Sequence, residues 1–182
     1  MAESQLHEAG IGLGSNLGDS LEILQSAWRQ LQEDPAIAAV ALSSPYRSQP
    51  VGMVSANWFI NAAALVRTTL APHALLHVLQ RIETRCGRDR SGQSTGYQDR
   101  TLDLDLLWYD DLIFRSGDLI IPHPRMRERL FVLEPLAEIM GERILPLSGK
   151  SVRELLLGLK KSETNQIVDR VCWPRRTRCF HR

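Results

Sequence analysis

The chain has 182 residues, 43% of them hydrophobic and 24% charged, which is enough for one domain with a buried core and excludes disorder. No apolar run reaches the roughly 18 residues of a membrane helix, the polar start lacks a secretory leader pattern, and three scattered cysteines, Cys86, Cys172 and Cys179, suit a reducing cytoplasm better than a disulfide or zinc scaffold. Five of the 22 basic residues fall after Asp169, where there is no acid, so the remaining 17 face 21 acids and the acidic body lacks a nucleic-acid footprint.

Ile11 to Gly14 reads as the end of a short strand, with His7 to Ala9 poor strand material before it. Gly12-Leu-Gly-Ser-Asn-Leu-Gly18 has the third glycine one place late for a dinucleotide fingerprint. A tight strand-to-helix turn, with Asn16 and the glycines at positive φ, accounts for it better. Asp19 caps a helix whose face is Leu21, Leu24, Trp28 and Leu31. Ile37 to Leu42 is a strand, Ser43 to Ala56 a loop, and Phe59 to Val66 a second strand. Pro72 opens a helix that runs to about Arg85 and stops at Gly87, burying Leu75, Leu79 and Ile82.

Arg88 to Asp99 is a polar loop, and Thr101 to Tyr109 is the clearest strand. A Pro-bracketed loop, Ile120 to Arg125, leads into a helix from about Met126 to Met140. Ser151 to Leu159 makes another short helix, Gln166 to Val171 a last strand, and the arginine-rich end a solvated tail. Several connections are too short for parallel crossovers, so the expected fold is α+β, one layered domain on a mainly antiparallel sheet.

The chemistry concentrates in Thr101-Leu-Asp-Leu-Asp-Leu-Leu-Trp108. Alternation along a strand sends Leu102, Leu104 and Leu106 to the core and puts Asp103 and Asp105 together on the opposite face. Pattern alone leaves two readings: a solvated acidic face, or a carboxylate pair for divalent cations and polyphosphate. Arg88, Arg90 and Arg100 before the strand, and His123, Arg125, Arg127 and Arg129 after it, favour a nucleotide triphosphate clamp. Phe59 and Asn61 share one strand face, a ring and an amide that can stack on and pair with a flat heterocycle, or simply pack in the core.

Seven segments occur in order: Gly12 to Gly18, Ser43-Ser-Pro-Tyr-Arg47, Phe59-Ile-Asn-Ala-Ala63, Gln80-Arg-Ile-Glu83, Gly87-Arg-Asp-Arg90, Arg100-Thr-Leu-Asp-Leu-Asp105 and Ile121-Pro-His-Pro-Arg-Met126. Together, over roughly residues 10–160, they resemble the 6-hydroxymethyl-7,8-dihydropterin pyrophosphokinase family of folate biosynthesis. The resemblance implies an α/β/α layered sandwich with a ferredoxin-like sheet, residues 1–160 as the enzyme domain and 161–182 as an extension. It implies an ATP-dependent diphosphotransferase that moves pyrophosphate to the pterin hydroxymethyl group and leaves AMP. Asp103 and Asp105 would then hold two Mg²⁺. Arg88, Arg90 and Arg100 would be catalytic, stabilising charge on the transferring group. Gln80, Glu83, Arg90, Tyr97, Arg100, Leu106, His123 and Arg129 would face ATP. Ser48, Gln49, Val51, Phe59, Asn61 and Phe131 would form the pterin site.

The chain departs from the family where many members have Trp-Gly-Pro-Arg and it has Tyr97-Gln-Asp-Arg100, at Ser48-Gln49, and at Pro124. A cytoplasmic monomer acting on ATP and the pterin, without nucleic acid or membrane, completes the expectation. The competing classes are another DxD transferase, which would not depend on pterin, and an RNA-binding module, whose sheet centre would here be acidic.

Overall fold

The computed structural model describes residues 5–88, 98–162 and 164–174. Eight strands and four α-helices follow in the order β1 (His7–Ser15), α1 (Ser20–Glu33), β2 (Ile37–Leu42), β3 (Tyr46–Ser48), β4 (Phe59–Thr68), α2 (Pro72–Arg85), β5 (Asp103–Tyr109), β6 (Phe114–Ser116), β7 (Leu119–Ile121), α3 (Leu130–Met140), α4 (Val152–Lys161) and β8 (Val168–Arg170). A 3₁₀ turn, Met126–Glu128, precedes α3. The main sheet runs β5-β1-β4-β3-β8, with β2 also on β4, and its pairings are antiparallel. Connecting β1 through α1 to β2, and β4 through α2 to β5, leaves the order β5-β1-β4-β2, a split ferredoxin-like arrangement.

Alternation along the central strands builds two cores. Ile11, Leu13, Leu104 and Leu106 face Leu24, Leu31, Leu75, Leu79 and Ile82 of α1 and α2. Ala63, Leu107 and Trp108 face Leu133 and Leu136 of α3 and Val152 and Leu156 of α4. The result is the expected α/β/α sandwich. A bulge in the β1–β5 register, where Gly10 meets Trp108 and Ile11 meets Leu106, lets Leu107 and Trp108 both serve the second core.

Local rules account for α1 and α2. Asp19 accepts from the Glu22 amide, a cap worth about 0.5–2 kcal/mol. Pro72 opens α2, and Gly87, at φ +85°, ends it. Elsewhere distant partners override local signals. His7 and Glu8 extend β1 because the Asp110 carboxylate takes the Glu8 amide at 2.8 Å and pairs with His7 Nδ1 at 2.6 Å. The stretch expected as loop, residues 43–56, contains β3, held between β4 and β8. The helix expected from Met126 is broken at Arg129, whose extended backbone (φ −121°, ψ 110°) separates the 3₁₀ turn from α3.

The bulge brings the Trp108 ring against the Gly10 backbone so closely that a β-carbon on Gly10 would lie 2.1 Å from Trp108 Nε1. Trp108 is 1% exposed and cannot swing away without opening the core. Gly10→Ala is therefore expected to destabilise the fold by about 1–3 kcal/mol, the usual range for overpacking. Urea unfolding checks this, and an unchanged midpoint contradicts it.

Candidate active site

The site forms where the ends of β1, β4 and β5 meet the start of α3. Gly12 and Gly14 lie side by side with Asp105 and Asp103 on one flank and Ala63 and Asn61 on the other. These glycines are strand residues that floor a cleft; the positive φ expected of the motif belongs to Gly18, at +75°, and Asn16 is not in that conformation. A β-carbon on Gly14 would sit 3.3 Å from Asn61 Oδ1, so the bare backbone gives Asn61 its room. The floor glycines were missed as site residues, although their two-residue spacing carries the signal.

A part-open cleft lies above these glycines. Phe59, Asn61 and Val51 line it from β4 and the loop before it, Phe131 and Arg129 from the start of α3, and Arg100, Asp103 and Asp105 from β5 and its approach. Met53, Leu107 and Val132 complete the wall. Aromatic and amide groups thus share one space with the carboxylates and cations.

Asp103 is bonded through both oxygens. Arg88 Nη1 donates to Oδ1, and Arg100 Nη1 donates to Oδ2 at 2.9 Å. Below it, the Glu83 carboxylate is 1% exposed and accepts from the Leu104 amide at 2.8 Å and from Arg88. Glu83 therefore ties α2 to β5 and holds Arg88 beside Asp103. The two carboxylates keep the Arg88 guanidinium firmly charged against the desolvation it suffers.

Asp105 has a different environment. Burial first, then the neighbouring Asp103 carboxylate, pushes its acid up to about 7, with Arg129 and Arg100 opposing. The His123 imidazole is pushed down to about 4, by burial and then by Arg129. At neutral pH it is uncharged. Its Nδ1 accepts from the Arg125 amide at 3.3 Å, which leaves the proton on Nε2 for donation.

The approach to β5 is clasped. The Asn16 side-chain oxygen accepts from the Arg100 amide at 2.7 Å, and its backbone amide donates to the Arg100 carbonyl at 3.1 Å. Its side-chain amide reaches Asp99 Oδ1 at 2.6 Å, while Asn57 reaches Asp99 Oδ2 at 2.8 Å. Arg100 is thereby fixed in backbone and side chain.

The remaining expected residues are more dispersed. Ser48, 2% exposed, does not line the cleft but accepts from Asn61 Nδ2 at 2.9 Å and orients that amide. Gln49 lies outside the lining, its amide donating to the Ile167 carbonyl at 3.3 Å. Leu106 packs its side chain into the α1/α2 core and can offer a ligand only backbone. Gln80 lies half-buried on α2, outside the cleft lining. His123 lines a second cleft with Pro122, Met126 and Arg127. Arg90 and Tyr97 fall outside the described residues.

Residues 10–141 match the family model of 7,8-dihydro-6-hydroxymethylpterin-pyrophosphokinase. The chain belongs to this family. It is 40% identical over 159 residues to the 2-amino-4-hydroxy-6-hydroxymethyldihydropteridine pyrophosphokinase of Methylorubrum extorquens, an alignment covering 87% of this chain and 98% of that one. The Bacillus subtilis enzyme of the same name is 43% identical over 131 residues, covering 72% of this chain and 77% of the other. Among solved structures, wild-type Plasmodium falciparum HPPK-DHPS superposes with a TM-score of 0.70 at 15% identity, covering 90% of this chain and 47% of that longer one. That likeness confirms the fold. The family membership makes the chain an ATP-dependent pyrophosphokinase of folate synthesis.

Asp105 also sets a pH dependence. A carboxyl with a folded pKa near 7 and an ordinary value of 3.8 favours folding while protonated. That contribution is complete below the lower value and is lost as pH rises through the upper one. Asp105→Asn removes the ionisation. In magnesium-free buffer the variant is expected to gain stability relative to the parent from about pH 4 to about pH 8. Urea unfolding across that range measures the difference, and a constant gap contradicts the assignment.

Proposed function

We propose that the cleft holds the pterin between Phe59 and Phe131 and the ATP phosphates over Asp103 and Asp105, with the hydroxymethyl oxygen facing the β-phosphorus. The observation that supports this most is the single cleft in which Phe59, Asn61 and Phe131 meet Asp103, Asp105, Arg100 and Arg129. New bond formation from that oxygen to the β-phosphorus breaks the bond to the oxygen retained by AMP. The hydroxyl proton passes to solvent water.

The donor set suits magnesium. Two carboxylates share a face, and burial, then the Asp103 charge, disfavours ionised Asp105, a cost that a bound cation would offset. Among the described residues no cluster of three or more His, Cys, Asp or Glu side chains makes a complete cage. A hard cation here would take most of its oxygens from phosphate and water. Two Mg²⁺ held by Asp103 and Asp105 would neutralise the polyphosphate and acidify a coordinated hydroxyl.

The chain's own groups do the rest. Arg88 and Arg100 release Asp103 to take phosphate oxygens, exchanging one charge-assisted partner for another. Neutral His123 donates from Nε2, and Arg129 adds positive charge beside Asp105. Arg90 and Tyr97 belong to the same nucleotide side, as do Gln80, the Leu106 backbone and Glu83 through Arg88. Asn61, steadied by Ser48, pairs with the pterin edge, and the Gln49–Val51 segment closes that wall. In this reading residues 1–160 are the enzyme domain, 161–182 an extension, and the enzyme acts as a cytoplasmic monomer on two small molecules. The net-acidic body disfavours a nucleic-acid partner.

AMP release measured with ATP, Mg²⁺ and 6-hydroxymethyl-7,8-dihydropterin tests the function. Release is expected only when all three are present and is expected to be nearly abolished in Asp103→Asn. Equal release without the pterin would assign the site to another transferase. Asn61→Ala should weaken pterin binding by about 1–3 kcal/mol, because it strands the pterin edge, while barely changing affinity for an ATP analogue. Calorimetric titration separates the two affinities, and unchanged pterin binding removes Asn61 from the pocket.

A further inference from the structure

The C-terminal segment lies outside residues 10–141 that match the family, yet it reaches the cleft's supports from behind. Gln166 spans the backbone break at Arg129. Its Oε1 accepts from the Leu130 amide at 2.9 Å, and its Nε2 donates to the Glu128 carbonyl at 2.8 Å. Both groups flank Arg129, and the next residue but one is Phe131. Leu130 is the first residue of α3, and no side chain from the Arg129 cap position satisfies that helix start. A residue 36 positions away supplies the missing cap.

The neighbours of Gln166 hold the opposite wall. The Ile167 carbonyl accepts from the Gln49 amide at 3.3 Å, and Val168 pairs with Ser48, the residue that orients Asn61. The segment is itself anchored. Val171 donates to the Pro45 carbonyl at 2.9 Å, Trp173 Nε1 to the Ser43 carbonyl at 3.0 Å, and Arg170 to Ser44 Oγ at 2.6 Å. Three consecutive residues, 166 to 168, therefore touch the supports of both aromatic walls.

We infer that Gln166 is a positioning residue for the pterin site: it fixes the break at Arg129 and so sets the Phe131 ring at the distance from Phe59 that a flat ligand requires. The inference rests on the reading of Phe131 as a pterin contact. Sites held slightly loose lose affinity steeply, and a side chain bonded on both sides of a break is a rigid support. Gln166 does not line the cleft, so its effect passes through Phe131 and Arg129.

A double-mutant cycle in the full-length chain tests this. Pterin is titrated calorimetrically in the presence of a non-hydrolysable ATP analogue and Mg²⁺, into the parent, Gln166→Ala, Phe131→Ala and the double variant. Gln166→Ala is expected to raise the pterin Kd about tenfold, the loss of one well-made support. In the Phe131→Ala background the same change should cost less than about threefold, because the ring it positions is gone. Gln166→Glu keeps the acceptor for Leu130 but sets an oxygen against the Glu128 carbonyl. It should fall between parent and Ala, and it carries the test if the Ala variant folds poorly. If Phe131→Ala weakens pterin binding while the Gln166 changes do not, or do so additively, Gln166 is only a helix cap and the inference is overturned. If Phe131→Ala leaves pterin binding intact, the pocket reading itself fails, and the inference with it.

Discussion

Two carboxylates on one face of a strand are the constraint around which the rest of the molecule is arranged. Asp103 and Asp105 must share that face because the leucines between and beside them are needed in the core. Burial, and after it their mutual repulsion, raises the Asp105 acid. Arg88 and Arg100 answer it at Asp103, and Arg129 opposes it at Asp105. The same pair of carboxylates that repel each other on this face offers oxygens to cations carrying phosphate. Structure and proposed chemistry therefore share one electrostatic origin.

The second requirement is that the cations stay where the carboxylates can use them. Glu83 does this from within, a buried acid that accepts from the β5 backbone and from Arg88 at once. Asn16 does it from the turn after β1, gripping Arg100 through two backbone bonds and Asp99 through its amide. The Gly14 backbone leaves room for Asn61, and Gly12 and Gly14 floor the cleft above. Segments far apart in sequence converge because the split strand order puts β1 between β4 and β5. A ligand lying across the ends of these strands meets all three.

Much of this was legible in the sequence, and the limits have physical causes. The Leu-Asp alternation of β5, the Pro72 and Gly87 limits of α2 and the Asp19 cap depend on neighbours within a few residues. Phe59 and Asn61 could be placed on one face because a strand alternates. What escaped depends on distant partners. The strand Tyr46–Ser48 exists because β8 pairs with it from the other end of the chain, His7 and Glu8 because Asp110 receives them, and the break before α3 is capped by Gln166. Glu83 was identifiable only by resemblance, and its burial beneath Arg88 gives it a supporting part that no motif states.

Arg88 and Arg100 hold Asp103 in this structure, and the proposed mechanism requires them to surrender it to bind phosphate. A crystal structure with Mn²⁺ in place of Mg²⁺, a non-hydrolysable ATP analogue and the pterin tests this directly, because anomalous scattering locates the ions. The expected result is ions bound to Asp103 and Asp105, both guanidiniums moved onto phosphate oxygens, and the pterin between Phe59 and Phe131. Ions bound elsewhere, with Asp103 still paired to Arg88 and Arg100, would contradict it.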